Sequence, residues 1–112
     1  SDAVIKNSVV SEGTFVQGKV KNSVISYGCT LGKNCRIVDS ILMPGAVVED
    51  DAVVEYAIVG WDAKVGKGAR VGEINTPHAA GEWEIAVVGP EVTVKAGAVI
   101  KAGEMFGGEN ND

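Results

Sequence analysis

Large rings are scarce in this chain of 112 residues, which holds two Phe, two Trp, two Tyr, one His, three Pro and two Cys. So few aromatics exclude a core built on ring packing and leave small aliphatic side chains to fill the interior. A single histidine is too few for a zinc centre built on histidines, so no metal site is expected. No apolar run approaches the 18 or so residues of a membrane span, and no charged, apolar, small-residue cleavage sequence opens the chain. Positive charge is in deficit as well: ten Lys and Arg stand against 15 Asp and Glu, for a net charge of -5. The basic residues are scattered among acids, with no basic stripe to neutralise phosphates, so neither nucleic acid nor a membrane is an expected partner. A cytoplasmic, soluble chain of one domain's length is the expectation.

Small residues and repetition are abundant. Fifteen glycines and 46% hydrophobic residues, most of them Val, Ile and Ala, favour pleated backbone over helix. One phrase recurs: KNSVVSEG at 6–13, KNSVISYG at 21–28, VDSILMPG at 38–45, EYAIVGWD at 55–62 and EIAVVGPE at 84–91. The offsets are 15, 17, 17 and 29 residues, the last being one period of 17 with 12 residues added. Self-similarity at a short fixed period predicts a solenoid, whose repeats bury apolar residues only by stacking.

From Val20 to Val71 one inward aliphatic recurs at spacings of 5, 6 and 6 residues, a coil of 17. The register predicts three interior columns: Val20, Ile37, Val54 and Val71; Ile25, Leu42, Val59 and Val88; Leu31, Val48, Val65 and Val94. Cys35, Ala52 and Ala69 form a column of small residues. Val24, Cys29, Ile41, Ala46, Ile58 and Ala63 are expected to point inward with them. Both cysteines therefore read as buried free thiols and not as a disulfide. Gly32, Gly60, Gly66, Gly72 and Gly89 each follow an inward aliphatic and are expected at corners needing positive φ. Three short strands and three corners per coil make a triangular prism, with coils stacked about 4.8 Å apart by parallel pairing. The domain is bounded at 1–106, with an inserted loop at about 72–84 and a polar tail at 107–112. The insertion must leave the prism at the corner that carries Tyr56 one coil earlier.

Few side chains invite chemistry. His78, in the insertion, is placed as the general base of acyl-CoA-dependent hexapeptide-repeat acyltransferases would be. The simpler reading is a surface turn of Thr76, Pro77 and His78, since no second catalytic residue is legible nearby. GWDAKVGKG at 60–68 has glycines and a lysine but lacks the spacing and the Ser or Thr of a phosphate loop. Lys33, Asp50 and Lys67 fall on one outer corner in consecutive coils, where alternating charge relieves repulsion. Lys33, Lys64, Lys67 and Arg70 are the candidates for an anionic effector, against the plainer reading of solvated surface. Tyr27, Pro44, Trp61 and Pro90 stack on a second corner, with Tyr56 and Trp83 near the insertion. The core needs none of these rings, so Tyr27, Tyr56, Trp61 and Trp83 are candidate interface residues.

The hexapeptide pattern resembles that of the left-handed parallel β-helix family, and the hand is taken from that resemblance. The fold expected is all-β, a single-stranded left-handed parallel β-helix of about five coils with one inserted loop. NSVISYGCTLGKNCRIVDSILMPGAVVEDDAVVEYAIV and VVGPEVTVKAGAVIKAGEM, with the insertion between them, resemble the C-terminal domain of bacterial glucose-1-phosphate adenylyltransferase. Related sugar nucleotidyltransferases such as mannose-1-phosphate guanylyltransferase carry similar domains. The resemblance implies a parent enzyme that converts ATP and glucose 1-phosphate to ADP-glucose and pyrophosphate, with Mg2+, for glycogen synthesis. It also implies that a separate N-terminal nucleotidyltransferase domain holds the catalytic residues and that this domain supports a homo- or hetero-oligomer. No catalytic residue is carried over, and no cofactor is expected on this chain.

Overall fold

The computed structural model describes residues 3–72 and 84–107. Within them every strand is short, every pairing is parallel, and no helix occurs. The backbone winds through about five stacked coils, each contributing one strand to each of three sheets. The first face stacks Val4–Lys6, Lys19–Lys21, Arg36–Val38, Val53–Glu55, Arg70–Val71 and Val99–Ile100. The second stacks Val9–Val10, Val24–Ile25, Ile41–Leu42, Ala57–Val59, Ala86–Val88 and Met105–Phe106. The third stacks Phe15–Val16, Thr30–Leu31, Val47–Val48, Lys64–Val65 and Thr93–Val94. Single-strand β-propensity is weak at two or three residues, so stacking supplies the stability: each inward side chain is covered above and below.

The interior follows the expected register. Val20 pairs with Ile37, Ile37 with Val54 and Val54 with Val71. Ile25, Leu42, Val59 and Val88 form the second column, and Leu31, Val48, Val65 and Val94 the third. All twelve are at most 1% exposed, so these columns are a stack of aliphatics, with the ring of Phe106 packed against the core only where it is partly buried. Cys29 and Cys35 are free and buried. Burial pushes both thiols up, Cys35 to about 11, where the Asp50 carboxylate adds to the effect.

Two expectations need correction. Val24 and Ile41 point outward, 44% and 46% exposed, and Ile58 is half-buried beside them. The buried neighbours on that face are Ser23, Ser40 and Ala57, two residues before the inward aliphatic. Alternation along a strand leaves no choice, because the residue next to an inward one must face out. The glycines that follow the inward aliphatics also differ from expectation. Of Gly32, Gly60, Gly66, Gly72 and Gly89 only Gly72 has positive φ. Close coil approach explains the others: a Cβ on Gly60 would lie 2.6 Å from the Pro90 nitrogen, and one on Gly66 would lie 2.6 Å from the Ala96 nitrogen. Positive φ falls later in each corner, in aligned columns such as Asn7, Asn22, Asp39 and Tyr56, or Asn34, Asp51, Gly68 and Gly97. Asn, Asp and Gly tolerate that region; Tyr56 and Glu91 are the bulky exceptions.

The repeated Asn-Ser of the sequence now has a physical meaning. Asn turns the corner, and the serine that follows satisfies the backbone on its inner side. Ser23 Oγ donates to the Lys21 carbonyl at 2.8 Å and accepts from the Ser40 amide at 3.0 Å. Ser40 Oγ donates to the Val38 carbonyl at 2.8 Å and accepts from the Ala57 amide at 3.1 Å. Ser8 begins this ladder and Ala57 ends it; the Ala86 amide bonds the Tyr56 carbonyl at 3.3 Å instead. The chain leaves the first face after Val71 and joins the second at Ala86, at the corner of Tyr56, as the period break requires.

Candidate functional site

With aliphatics inside, the described residues that can act on other molecules lie on the three outer faces and their corners. The first face is basic. Lys19 stands directly opposite Arg36 on the neighbouring strand, and Lys6 stands opposite Lys21. These four cations line a groove of 280 Å³ together with Val4 and Val38. Like charges directly opposed across strands destabilise a sheet, so this arrangement is not what packing alone would choose. Glu55 follows on the same face, 2% exposed, with its carboxylate 3.7 Å from Arg36 Nε and 3.8 Å from Arg70 Nη2. Its Oε1 has no hydrogen-bond partner. The four cations escaped notice in the sequence because they are dispersed over 31 positions and meet only through coil stacking.

The effector candidates are spread out. Lys33 and Lys67 share the corner between the third and first faces, with Asp50 stacked between them. The Asp50 carboxylate accepts from the Lys33 backbone amide at 2.8 Å, so its clearest bond is to the main chain and not to a lysine ammonium. It also lies over Gly32, where a Cβ would collide with it. Lys64 points from the third face and pairs loosely with Glu49 at 3.9 Å, whereas Arg70 points from the first face toward Glu55. A groove of 330 Å³ on the third face takes Lys67 alone of the four, beside Gln17, Thr30, Glu49 and Asp50.

The interface candidates fall closer together. Main-chain bonds stack Glu12, Tyr27, Pro44, Trp61 and the Pro90–Glu91 turn on the corner between the second and third faces. Tyr27 and Trp61, 62% and 48% exposed, bound a notch of 520 Å³ floored by Gly28, Pro44 and Gly45. Tyr56 sits on a different corner, half-buried. Trp83 and His78 lie outside the described residues, as do the tail from 108 and most of the insertion. The second face itself was missed: its outward row is Val9, Val24, Ile41, Ile58, Val87 and Met105, aligned strand to strand. Strict alternation would have revealed it in the sequence.

A family model, the GMPPB C-terminal domain, matches residues 1–106. Glucose-1-phosphate adenylyltransferase of Acetivibrio thermocellus is 38% identical over 68 residues, covering 61% of this chain and 16% of that protein. The enzyme of the same name from Bacillus thuringiensis strain Al Hakam is 36% identical over 69 residues, 62% of this chain and 18% of that protein. That of Bacillus cytotoxicus is 38% identical over 58 residues, 52% and 15%. The matched region thus spans about one sixth of the length of these relatives. No solved structure matches the chain. Nothing among these similarities favours acyl transfer by His78.

Proposed function

Because the chain belongs to the family of GMPPB C-terminal domains, we propose that it is the regulatory and assembly domain of a sugar-phosphate nucleotidyltransferase. The parent reaction we assign is ATP plus glucose 1-phosphate to ADP-glucose plus pyrophosphate, in glycogen synthesis. The observation that carries this reading is the agreement of several glucose-1-phosphate adenylyltransferases over a region that is only a sixth of each. A solenoid of that size supplies rigid faces and corners, which suits holding and steering a catalytic domain.

Among the described residues no three His, Cys, Asp or Glu side chains gather as a metal ion requires. The described residues do not fit Mg2+, and we assign Mg2+ and ATP to the nucleotidyltransferase domain of the parent. Regulation by an anion is supported best by the groove of Lys6, Lys19, Lys21 and Arg36, where opposed cations gain from a dianion between them. Lys33, Lys64, Lys67 and Arg70, divided between two faces and a corner, make a weaker seat. We assign the parent to the cytoplasm; among the described residues no helix is long and apolar enough to cross a membrane. Sequencing the coding region upstream of Ser1 tests the reading. A nucleotidyltransferase domain in frame is expected, and a start codon at that point would overturn it.

A further inference from the structure

Only two arginines occur in the chain, Arg36 and Arg70, and both reach the same carboxylate. Val53 stands opposite Arg36 on one side and Arg70 on the other, so the two guanidiniums flank the strand that carries Glu55 two positions later. Diagonal neighbours of this kind lie within reach of long side chains. On the strands of the first face Lys6, Lys19, Lys21, Arg36 and Arg70 are five of the ten basic residues of the chain, whereas Glu55 alone of its 15 acidic residues is there. Glu55 follows the inward Val54, so alternation turns it outward. Lys6 and Lys21 in the same outer row are exposed, yet Glu55 is 2% exposed. Burying a carboxylate with an orphan oxygen is unfavourable unless its charge is balanced, and the two arginines balance it.

The contacts are loose. Arg36 Nε and Arg70 Nη2 lie 3.7 and 3.8 Å from the two carboxylate oxygens, against about 2.7–2.9 Å for a charge-assisted hydrogen bond. Glu55 therefore neutralises the guanidiniums without clamping them. Their side chains, 58% and 48% exposed, keep donors open to another partner. We propose that Glu55 is a built-in counter-anion of the basic groove, which competes with an external phosphoryl anion for Arg36 and passes to Arg70 when that anion binds. This inference rests on the anion-binding reading of the groove given above and adds the residue that regulates it. No acidic residue lines the groove of Lys6, Lys19, Lys21 and Arg36, so Glu55 acts on it through Arg36. A phosphoryl group that makes short bidentate bonds to Arg36 displaces a carboxylate that makes none. The displaced carboxylate still has Arg70 beside its orphan Oε1, so its charge stays balanced on the far side of Val53. Because Glu55 is buried, salt screens this competition less than it screens the exposed lysines. The affinity of the groove is thus held below what its four cations alone would give, and a ligand must bring more negative charge than one carboxylate to take Arg36.

The probe is inorganic pyrophosphate, titrated into the purified chain by isothermal calorimetry at low salt. Glu55→Gln removes the charge at nearly constant shape and is expected to bind pyrophosphate about tenfold tighter than wild type, an ordinary size for coupling between two competing groups. Glu91→Gln removes an equal charge from an exposed corner and is expected to match wild type; an equal gain there would overturn a role specific to Glu55. Arg36→Met is expected to weaken binding, and Glu55→Gln added to it to bring no gain. A Glu55→Gln affinity at or below that of wild type overturns the counter-anion and leaves the groove standing, as does a gain that persists without Arg36. Pyrophosphate binding by neither wild type nor Glu55→Gln overturns both. Wild type alone supplies a second measurement should Glu55→Gln fail to fold. Its NMR spectrum is expected to hold two arginine Nε–H signals, and pyrophosphate should move both, although of the two only Arg36 lines the groove. An Arg70 signal that stays fixed overturns the transfer of Glu55.

Discussion

Replacing Ser40 with alanine removes the central rung of the serine ladder, and its cost can be worked from the bonds. The Val38 carbonyl keeps a second donor, the Tyr56 amide at 3.0 Å, so losing the hydroxyl proton there is minor. The Ala57 amide has Ser40 Oγ as its acceptor at 3.1 Å, and Ala57 is 2% exposed. An unsatisfied buried donor costs about 1–3 kcal/mol. One coil later an alanine already fills the serine's place and the following amide reaches a corner carbonyl at 3.3 Å, so partial relaxation is available. The expected loss is therefore about 2 kcal/mol, or roughly 10 °C in melting temperature for a domain of this size. Ser8→Ala removes equivalent bonds at the partly exposed first coil, where water replaces the hydroxyl, and should cost less than half as much. Urea titrations of wild type, Ser40→Ala and Ser8→Ala followed by circular dichroism make the comparison. A Ser40→Ala midpoint within about 0.5 kcal/mol of wild type, or equal to that of Ser8→Ala, would refute the ladder's role.

Glu91 holds φ of 60° in an exposed corner position, so Glu91→Asn should raise stability by about 1 kcal/mol, measured as a shift in urea midpoint. Lys19→Glu sets a carboxylate opposite Arg36 and relieves the like-charge contact. It should stabilise the fold by a few tenths to 1 kcal/mol at low salt, lose that gain at high salt, and weaken binding of inorganic pyrophosphate to the groove in calorimetry. The thiol of Cys35 sets a pH dependence: in the unfolded chain it ionises from its ordinary 9.0, in the folded protein only near 11. Between those values the unfolded state gives up a proton that the native state keeps, so its contribution is full below pH 9 and declines as pH rises to 11. The decline is on the order of 2 kcal/mol, and it should be absent from the difference curve of Cys35→Ala, whose smaller side chain suits a column with Ala52 and Ala69.

Much of this was legible before any coordinates. The spacing of 5, 6 and 6 named all three interior columns, sent Cys29 and Cys35 inside, and located the break between Val71 and Val88, because a solenoid's core is a strictly local pattern copied from coil to coil. The outward row was not legible in the same way. Val24 and Ile41 look like core residues by type, and only their place beside Ile25 and Leu42 turns them out. The stack of Tyr27, Pro44 and Trp61 could be named from the period, but the notch between the rings could not.

Sequence by itself determined the coil, its register and the family, since each depends on residues within one turn of the chain and on their recurrence. Tertiary structure alone decided what shares an outer face. Lys6, Lys19, Lys21 and Arg36 are interleaved with neutral and acidic residues along the chain, and become a groove only when successive coils place them on adjacent strands. The outward apolar row of the second face arises in the same way, one residue from each turn. Inward positions are dictated by a hydrophobic period that any single coil displays, whereas an outer surface is written across coils, one residue at a time, and is read only after stacking brings the rows together.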